Sequence, residues 1–320
     1  MATSGSVDFS KNKQQVINLA FAIINQYGEG RTVSSPDMDI ASTVLNMMLK
    51  AWINKGLHLW TKEEGVLFCT KDVGTYTLGT SASYTSLWSD AVLTSLNGDH
   101  TSSDTTLTVD TTTGMTAADT IGIVLDDGTI HWTTIVSVDS STTLTITSGI
   151  ADDASDNANI YTYTTRITKP LKIHSIRVVQ GIEDSAGASA DEVNLQPLSH
   201  SQFMEIANKG NVGLTTSYYY NPDLSSTTLY LWPKPNSVNY YFRFTYSRHF
   251  EDMDSLSDDF DLPVEWLEAI TWQLAIRLAP IFGKRSFLPE LLPIASQMLD
   301  DMLDFDAETE SIRFQPDVGC

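Results

Sequence analysis

The apolar positions of this chain change period along its length. From Asn12 to Tyr27 they recur at helical spacing, with Val16, Leu19, Ala20, Ile23 and Ile24 on one face and Gly28 to end the helix. Ser35-Pro36-Asp37 predicts a second start, a cap residue followed by proline where a first-turn N–H has no partner to lose. That helix carries Ile40, Val44, Met47, Met48, Ala51 and Trp52. Between Thr106 and Ile150 the period becomes two, and strands are predicted over 107–109, 121–125, 130–138 and 144–147. Asp126-Asp127-Gly128 and Asp139 to Ser141 are the turns, and the alternating Thr and Ser suit a solvent-facing surface with Ile, Val, Leu and Trp132 turned inward. Helical spacing returns after Pro263 with Trp266, Leu267, Ile270, Leu274 and Leu278. It returns again from Leu288 to Phe305 with Leu291, Leu292, Ala295, Met298, Leu299, Met302 and Leu303.

The segments between are mixed. Arg166 to Val179 alternates as one or two strands and leads into the acidic loop GIEDSAGASADE, and Ser199 to Asn208 predicts a short helix. Tyr218-Tyr219-Tyr220 is a strand. Tyr230-Leu231-Trp232 and Tyr240 to Tyr246 are aromatic and β-rich on either side of Pro233-Lys234-Pro235-Asn236, which predicts a hairpin. The resulting expectation is an α+β fold, a helical bundle body of two N-terminal and two C-terminal helices with β-strands and an inserted small all-β domain. Its parts would be 1–95, the Thr-rich insert 96–165, the strands and helical hairpin 166–305, and an extended tail 306–320.

Charge sharpens this picture. Lys plus Arg total 19 against 40 Asp plus Glu, a formal net charge of -21. A surface this acidic repels phosphates, which argues against wrapping duplex DNA by charge neutralisation. No Lys or Arg occurs between Lys71 and Arg166, and that gap marks the insert. Basic residues gather modestly at Arg166, Lys169, Lys172, His174 and Arg177, a belt that a ring would repeat around its axis. The two cysteines, Cys69 and Cys320, have no motif spacing and fit a reducing compartment. The start MATSGSVDFS lacks the regions of a signal peptide, and no apolar run is long enough to span a bilayer, so a soluble, unexported protein is expected.

Catalytic chemistry finds little footing. The six histidines lie far apart, with no pair at the spacing of a helical zinc site. In Ser199-His200-Ser201 adjacent residues rarely face one another, so a helix start explains the run better than a nucleophile pair. Glu251-Asp252-Met253-Asp254 with Asp258, Asp259 and Asp261 lacks the glycine and terminal glutamate of an EF-hand loop and reads as a solvated acidic linker. No glycine-rich phosphate cradle is present. No cofactor and no metal are implied. The aromatic residues from Tyr218 to Tyr246 have too few basic neighbours for a nucleic-acid stacking platform, which leaves core and subunit contacts.

Three stretches carry a family pattern: LYLWPKP from Leu229, FRFTYSRHFEDM running into the acidic linker, and LPVEWLEAITWQLAIRLAPIFG with Pro280 and Gly283 at its end. A fourth is DMDIASTVLNMMLKAW, Asp37 to Trp52, followed by Ile53-Asn54-Lys55-Gly56. Together they resemble the head-to-tail adaptor, or head-completion protein, of short-tailed phages, which pairs an early helix ending in a Trp and a Gly-containing turn with a late helical hairpin. The resemblance implies a non-enzymatic virion protein at the head-tail junction, made in the host cytoplasm. It also implies a homo-oligomeric ring, a dodecamer matching portal symmetry, with the portal protein above, tail nozzle or fibre proteins below, and genomic DNA passing through without specific binding. In that setting Ile312, Arg313 and Phe314 in the tail would contact the portal or a neighbour, and Arg166, Lys169, Lys172 and Arg177 would form a belt at the channel or an interface. Two other readings are carried: a tail- or fibre-associated module that recognises a glycan or partner through the β-domain, and a muramidase using Glu265 and Asp261. Both acids are also ordinary first-turn helix residues.

Overall fold

The computed structural model describes residues 9–27, 32–53, 60–180, 191–223 and 227–305. Strand outweighs helix, 32% to 27%, and the strands among the described residues form four sheets, so the fold is mainly β and the expected helical-bundle body is corrected. The helices among the described residues are α1 Lys13–Ile23, α2 Ser35–Ile53, α3 His200–Glu205, α4 Trp266–Ile281 and α5 Leu288–Phe305. None is long and apolar enough to cross a membrane.

By its internal contacts the chain divides into two units, one formed by residues 1–61 with 249–320 and the other by 62–248. The division falls at 61/62 and 248/249, and the Thr-rich segment belongs to the second unit. The expected loop 181–190 and tail 306–320 lie outside the described residues.

The first unit holds α1, α2, α4 and α5. A capping box starts α1: the Asn12 side chain accepts from Gln15 N, and the Gln15 side chain accepts from Asn12 N. Two more first-turn donors, Lys13 N and Gln14 N, are taken by the carbonyls of Asp258 and Leu256, so the acidic linker itself caps the helix. That linker is not merely solvated. Phe250 and Met253 are buried, and Lys50 Nζ donates to Phe250 O at 2.6 Å and pairs with Asp252 at 2.9 Å. Buried Lys13 ends on Met253 O. The cap of α2 lies one residue earlier than expected, at Ser34, whose Oγ accepts from Asp37 N. Gly283, at φ +72, ends α4: Lys284 N reaches back to Ala279 O at 2.7 Å, a turn that calls for the left-handed backbone glycine adopts freely.

The second unit holds all four sheets, three of them with four or more strands. A five-stranded sheet has strand order Asp191–Asn194, Lys172–Gln180, Tyr240–Ser247, Lys62–Phe68 and Thr85–Leu87. Phe242, Phe244 and Tyr246 point from its central strand into a core shared with Tyr76, Leu78, Tyr218, Leu229 and Leu231 of a four-stranded sheet. The expected hairpin is corrected here. Thr227–Trp232 pairs with Ser217–Asn221 and Thr75–Leu78, whereas Tyr240–Ser247 pairs with Lys62–Phe68 and Lys172–Gln180. Between them Lys234–Pro235 pairs only with Val212–Gly213, because the two prolines interrupt ladder donation and the chain changes sheet.

The third sheet is the Thr-rich one, ordered Val92–Ser95, Asn159–Tyr163, Thr120–Val124, Ile130–Val138, Thr143–Ile146, Thr106–Thr108. A bridge between Leu96 and Val109 ties its two margins, so the sheet curls around Leu107, Ile121, Ile123, Ile135, Leu144, Ile146 and Ile160. Trp132 is not in that interior. It lies across Gly122 on the opposite face, with Phe68 and Tyr163 beside it at 5.9 and 6.1 Å, in a cluster that includes Val66, Tyr161 and Tyr241.

Candidate interaction surfaces

Most residues of the expected basic belt are engaged locally. Arg166 donates to Thr80 O at 3.2 Å and Lys169 to the carbonyl of Asp223. Lys172 is exposed at the start of its strand, and His174 Nε2 meets Ser247 Oγ at 2.8 Å. Arg177 is brought together not with these but with Arg243, directly opposite it across the strand pair.

Two arginines facing each other across a ladder repel, and the flanking strands supply the remedy. Glu64, on one outer strand, accepts from Arg177 and from Arg243, both at 2.8 Å. Glu192, on the other, accepts from Arg177 at 3.0 Å and Arg243 at 2.8 Å. The two guanidiniums thus turn their terminal nitrogens to carboxylates, bridged twice, and Arg243 also stacks over the Trp88 ring at 4.1 Å. Burial alone would raise the Glu64 carboxyl; the hydrogen bonds and charges of Arg243 and Arg177 outweigh it and hold the group below its ordinary value. With those terminal nitrogens committed, this cluster is a structural clamp across four strands rather than a docking point for phosphate.

The acids likewise serve local ends. Asp261 accepts from Glu251 N at 3.3 Å, and Glu265 precedes α4 without capping it by a side-chain bond. In the Thr-rich sheet Asp126 accepts from Ser155 N and Oγ, Asp153 from Ser102 N and Asp156 from Gly98 N, so these carboxylates fasten loops. Among the described residues no cluster of three His, Cys, Asp or Glu could hold a metal ion. The hydroxyls on the exposed strands bond one another, as in Thr134 with Thr147 and Thr133 with Ser148, and Ser137 and Thr145 both donate to Asp139. Ser199, expected to start a helix, caps α3 through a capping box with Gln202, and His200 Nδ1 meets Tyr219 OH at 2.9 Å.

The surface that the sequence reading missed lies in the helical unit. An apolar groove of about 740 Å³ lies between α1 and the first half of α4, lined by Val16, Leu19, Ala22, Ile23, Leu267 and Trp272. Leu19 and Val264 are exposed there, and Glu265, Glu268 and Lys11 supply its charges. The signal was present: α1 is apolar at Val16, Ile17, Leu19, Ala20, Phe21, Ala22, Ile23 and Ile24, more than one buried stripe requires. The core takes Val16, Ile17, Ala20, Phe21 and Ile24, and the surplus lines the groove. Ile312, Arg313 and Phe314 lie outside the described residues.

The two long motifs of the sequence reading meet inside this same unit. Trp52, at the end of α2, and Trp266, at the start of α4, are both fully buried, with ring centroids 5.9 Å apart and planes tilted by 54°. No family model matches the chain, and no curated protein does. Among solved structures, VP17, a capsid protein of bacteriophage P23-77, is similar at 14% identity over 62% of this chain and 78% of that one, with a TM-score of 0.12. Similarity at that level carries no statement about shared fold or role.

Proposed function

We propose that this chain is a structural virion protein of a short-tailed phage: a head-to-tail adaptor that assembles as a ring, binds the portal protein, extends the DNA channel and docks tail components. The observation that carries the reading is the contact of Trp52 with Trp266. Two of the stretches that resemble the adaptor family, Asp37 to Trp52 and the one that begins at Leu262, come from opposite ends of the chain and meet within one unit. The net charge of -21 supports it further, since an acidic lining repels passing phosphates and keeps DNA from adhering during ejection. In this reading ring contacts are heterologous and close on a dodecamer.

Light scattering tests it, on the purified chain alone and after mixing with portal rings from the phage genome that encodes it. A mass increase corresponding to a full ring of subunits is the expected result. A chain that remains monomeric and never associates with the portal overturns the reading.

A further inference from the structure

We propose that the groove between α1 and α4 is the seat of the chain's own C-terminal segment, with Ile312 and Phe314 against the apolar floor and Arg313 paired with Glu265 and Glu268. The inference does not depend on the adaptor reading, because site and occupant belong to one chain.

Three observations point to this occupant. The first is where the chain leaves the described residues. α5 follows α4 after a short turn and runs back along it, with Gln273 Nε2 donating to Ala295 O at 2.9 Å. Ten residues past Ala295, α5 ends at Phe305, which brings the chain back toward the end of α4 where Val264, Glu265 and Glu268 line the groove. Fifteen residues remain after Phe305. Ile312 to Phe314 begin seven residues on, and at about 3.3 Å per extended residue that spacing exceeds the 8–10 Å between packed helices, roughly twice over.

Charge is the second. Residues 306–320 read DAETESIRFQPDVGC, in which Arg313 is the sole Lys or Arg and is flanked by the only large apolar side chains before Val318. The groove offers the converse, two exposed carboxylates beside an apolar floor, and its own cation Lys11 faces a segment with acids at Glu310 and Asp317. Third, about 740 Å³ is ample room for an isoleucine and a phenylalanine side chain, and Leu19 and Val264 stand exposed with no other described residue covering them.

Disulfide trapping in the full chain tests this. Ala22, exposed at the groove, is changed to cysteine together with Gln315→Cys and Cys320→Ser; Cys69 is buried and does not compete. A control chain carries Ser140→Cys, on the other unit, in place of Ala22→Cys. Mild oxidation of dilute protein is expected to give intramolecular disulfide at least about tenfold faster than the control, since a seated segment holds its thiol at high effective concentration. Arg313→Glu is expected to slow trapping about two- to fivefold, and adding Glu265→Arg and Glu268→Arg to restore it. Rates equal to the control overturn the proposal, as does a failure of the charge swap to recover. Covalent dimers in place of cross-linked monomer overturn it in favour of a second copy's tail in the groove. Circular dichroism of each variant confirms that the helices are retained.

Discussion

Arg177 and Arg243 sit directly opposite each other on adjacent strands, an arrangement of like charges that the two flanking glutamates make tolerable. The consequence is a pH-dependent clamp. Glu64 is held below its ordinary value of 4.5, so its contribution to stability is complete above that value and is lost as pH falls through the lowered folded one. Urea unfolding from pH 7 down to pH 3 is expected to show a decline that begins near pH 4.5 in the native chain and is shallower in Glu64→Gln. At neutral pH the same substitution costs no more than about 1 kcal/mol, because the Glu64 side chain is 40% exposed and screened. An unchanged pH profile in Glu64→Gln would show that the clamp is electrostatically idle.

The Trp52–Trp266 contact makes a second, separable prediction. Neither indole N–H finds an acceptor among the described residues, so these rings contribute by packing alone. Trp266→Phe is therefore expected to cost under about 1.5 kcal/mol, having no hydrogen bond to lose, whereas Trp266→Ala costs about 3–5 kcal/mol through the cavity it opens. Thermal unfolding followed by helical circular dichroism separates the two. A Phe variant as damaged as the Ala variant would mean that the N–H has an acceptor after all.

What could be read from the sequence follows how local each signal is. The strands around Asp126-Asp127-Gly128 were legible because alternation and turn chemistry act within a few residues; Ile130–Val138 is found as expected, and Gly128 takes φ +83. The aromatic strands at 227–232 and 240–247 were legible as strands but not as partners, since their ladders run to Thr75–Leu78 and Lys62–Phe68, far away along the chain. In α2 the buried set is Met38, Ala41, Leu45, Met48, Leu49 and Trp52, while Ile40 and Met47 are exposed. A helix apolar on more than one side does not announce which side its neighbours will take. The four-residue clamp depends on register, which no spacing in the sequence expresses, and the groove on α1 showed itself only as an excess of apolar residues.

Cys69 offers an internal probe of the second unit. Burial pushes its thiol up to about 12, and its Sγ lies 3.2 Å from Tyr240 O, so thiolate is scarce and inaccessible at neutral pH. In a Cys320→Ser chain, alkylation by iodoacetamide at pH 8 is expected to be negligible in the native state and to rise with urea in step with loss of the sheet signal. Fast alkylation without denaturant would place the thiol at an opening that the structure does not contain.

The Thr-rich sheet, read from the sequence as an inserted small β-domain, is packed against the strands around it. Tyr161 stacks on Phe68 with centroids 4.3 Å apart and planes 17° from parallel, and its hydroxyl donates to Val238 O at 3.1 Å. Removing residues 97–159 takes away the strands that hold this ring, leaving Val66, Phe68 and Tyr241 of the five-stranded sheet without cover. The shortened chain is expected to bind a hydrophobic dye strongly and to aggregate, while Tyr161→Phe in the full chain keeps the stack and costs about 1–3 kcal/mol for the carbonyl left unpaired. Gly122→Ala probes the same face from within, because a Cβ there would lie 2.6 Å from the Trp132 ring, and overpacking of that kind costs about 1–3 kcal/mol. A shortened chain that stays monomeric, dye-negative and as stable as the parent would restore the view of an independent insert. The contrast between that deletion and the two point changes is what distinguishes a detachable decoration from a layer on which the central sheet depends.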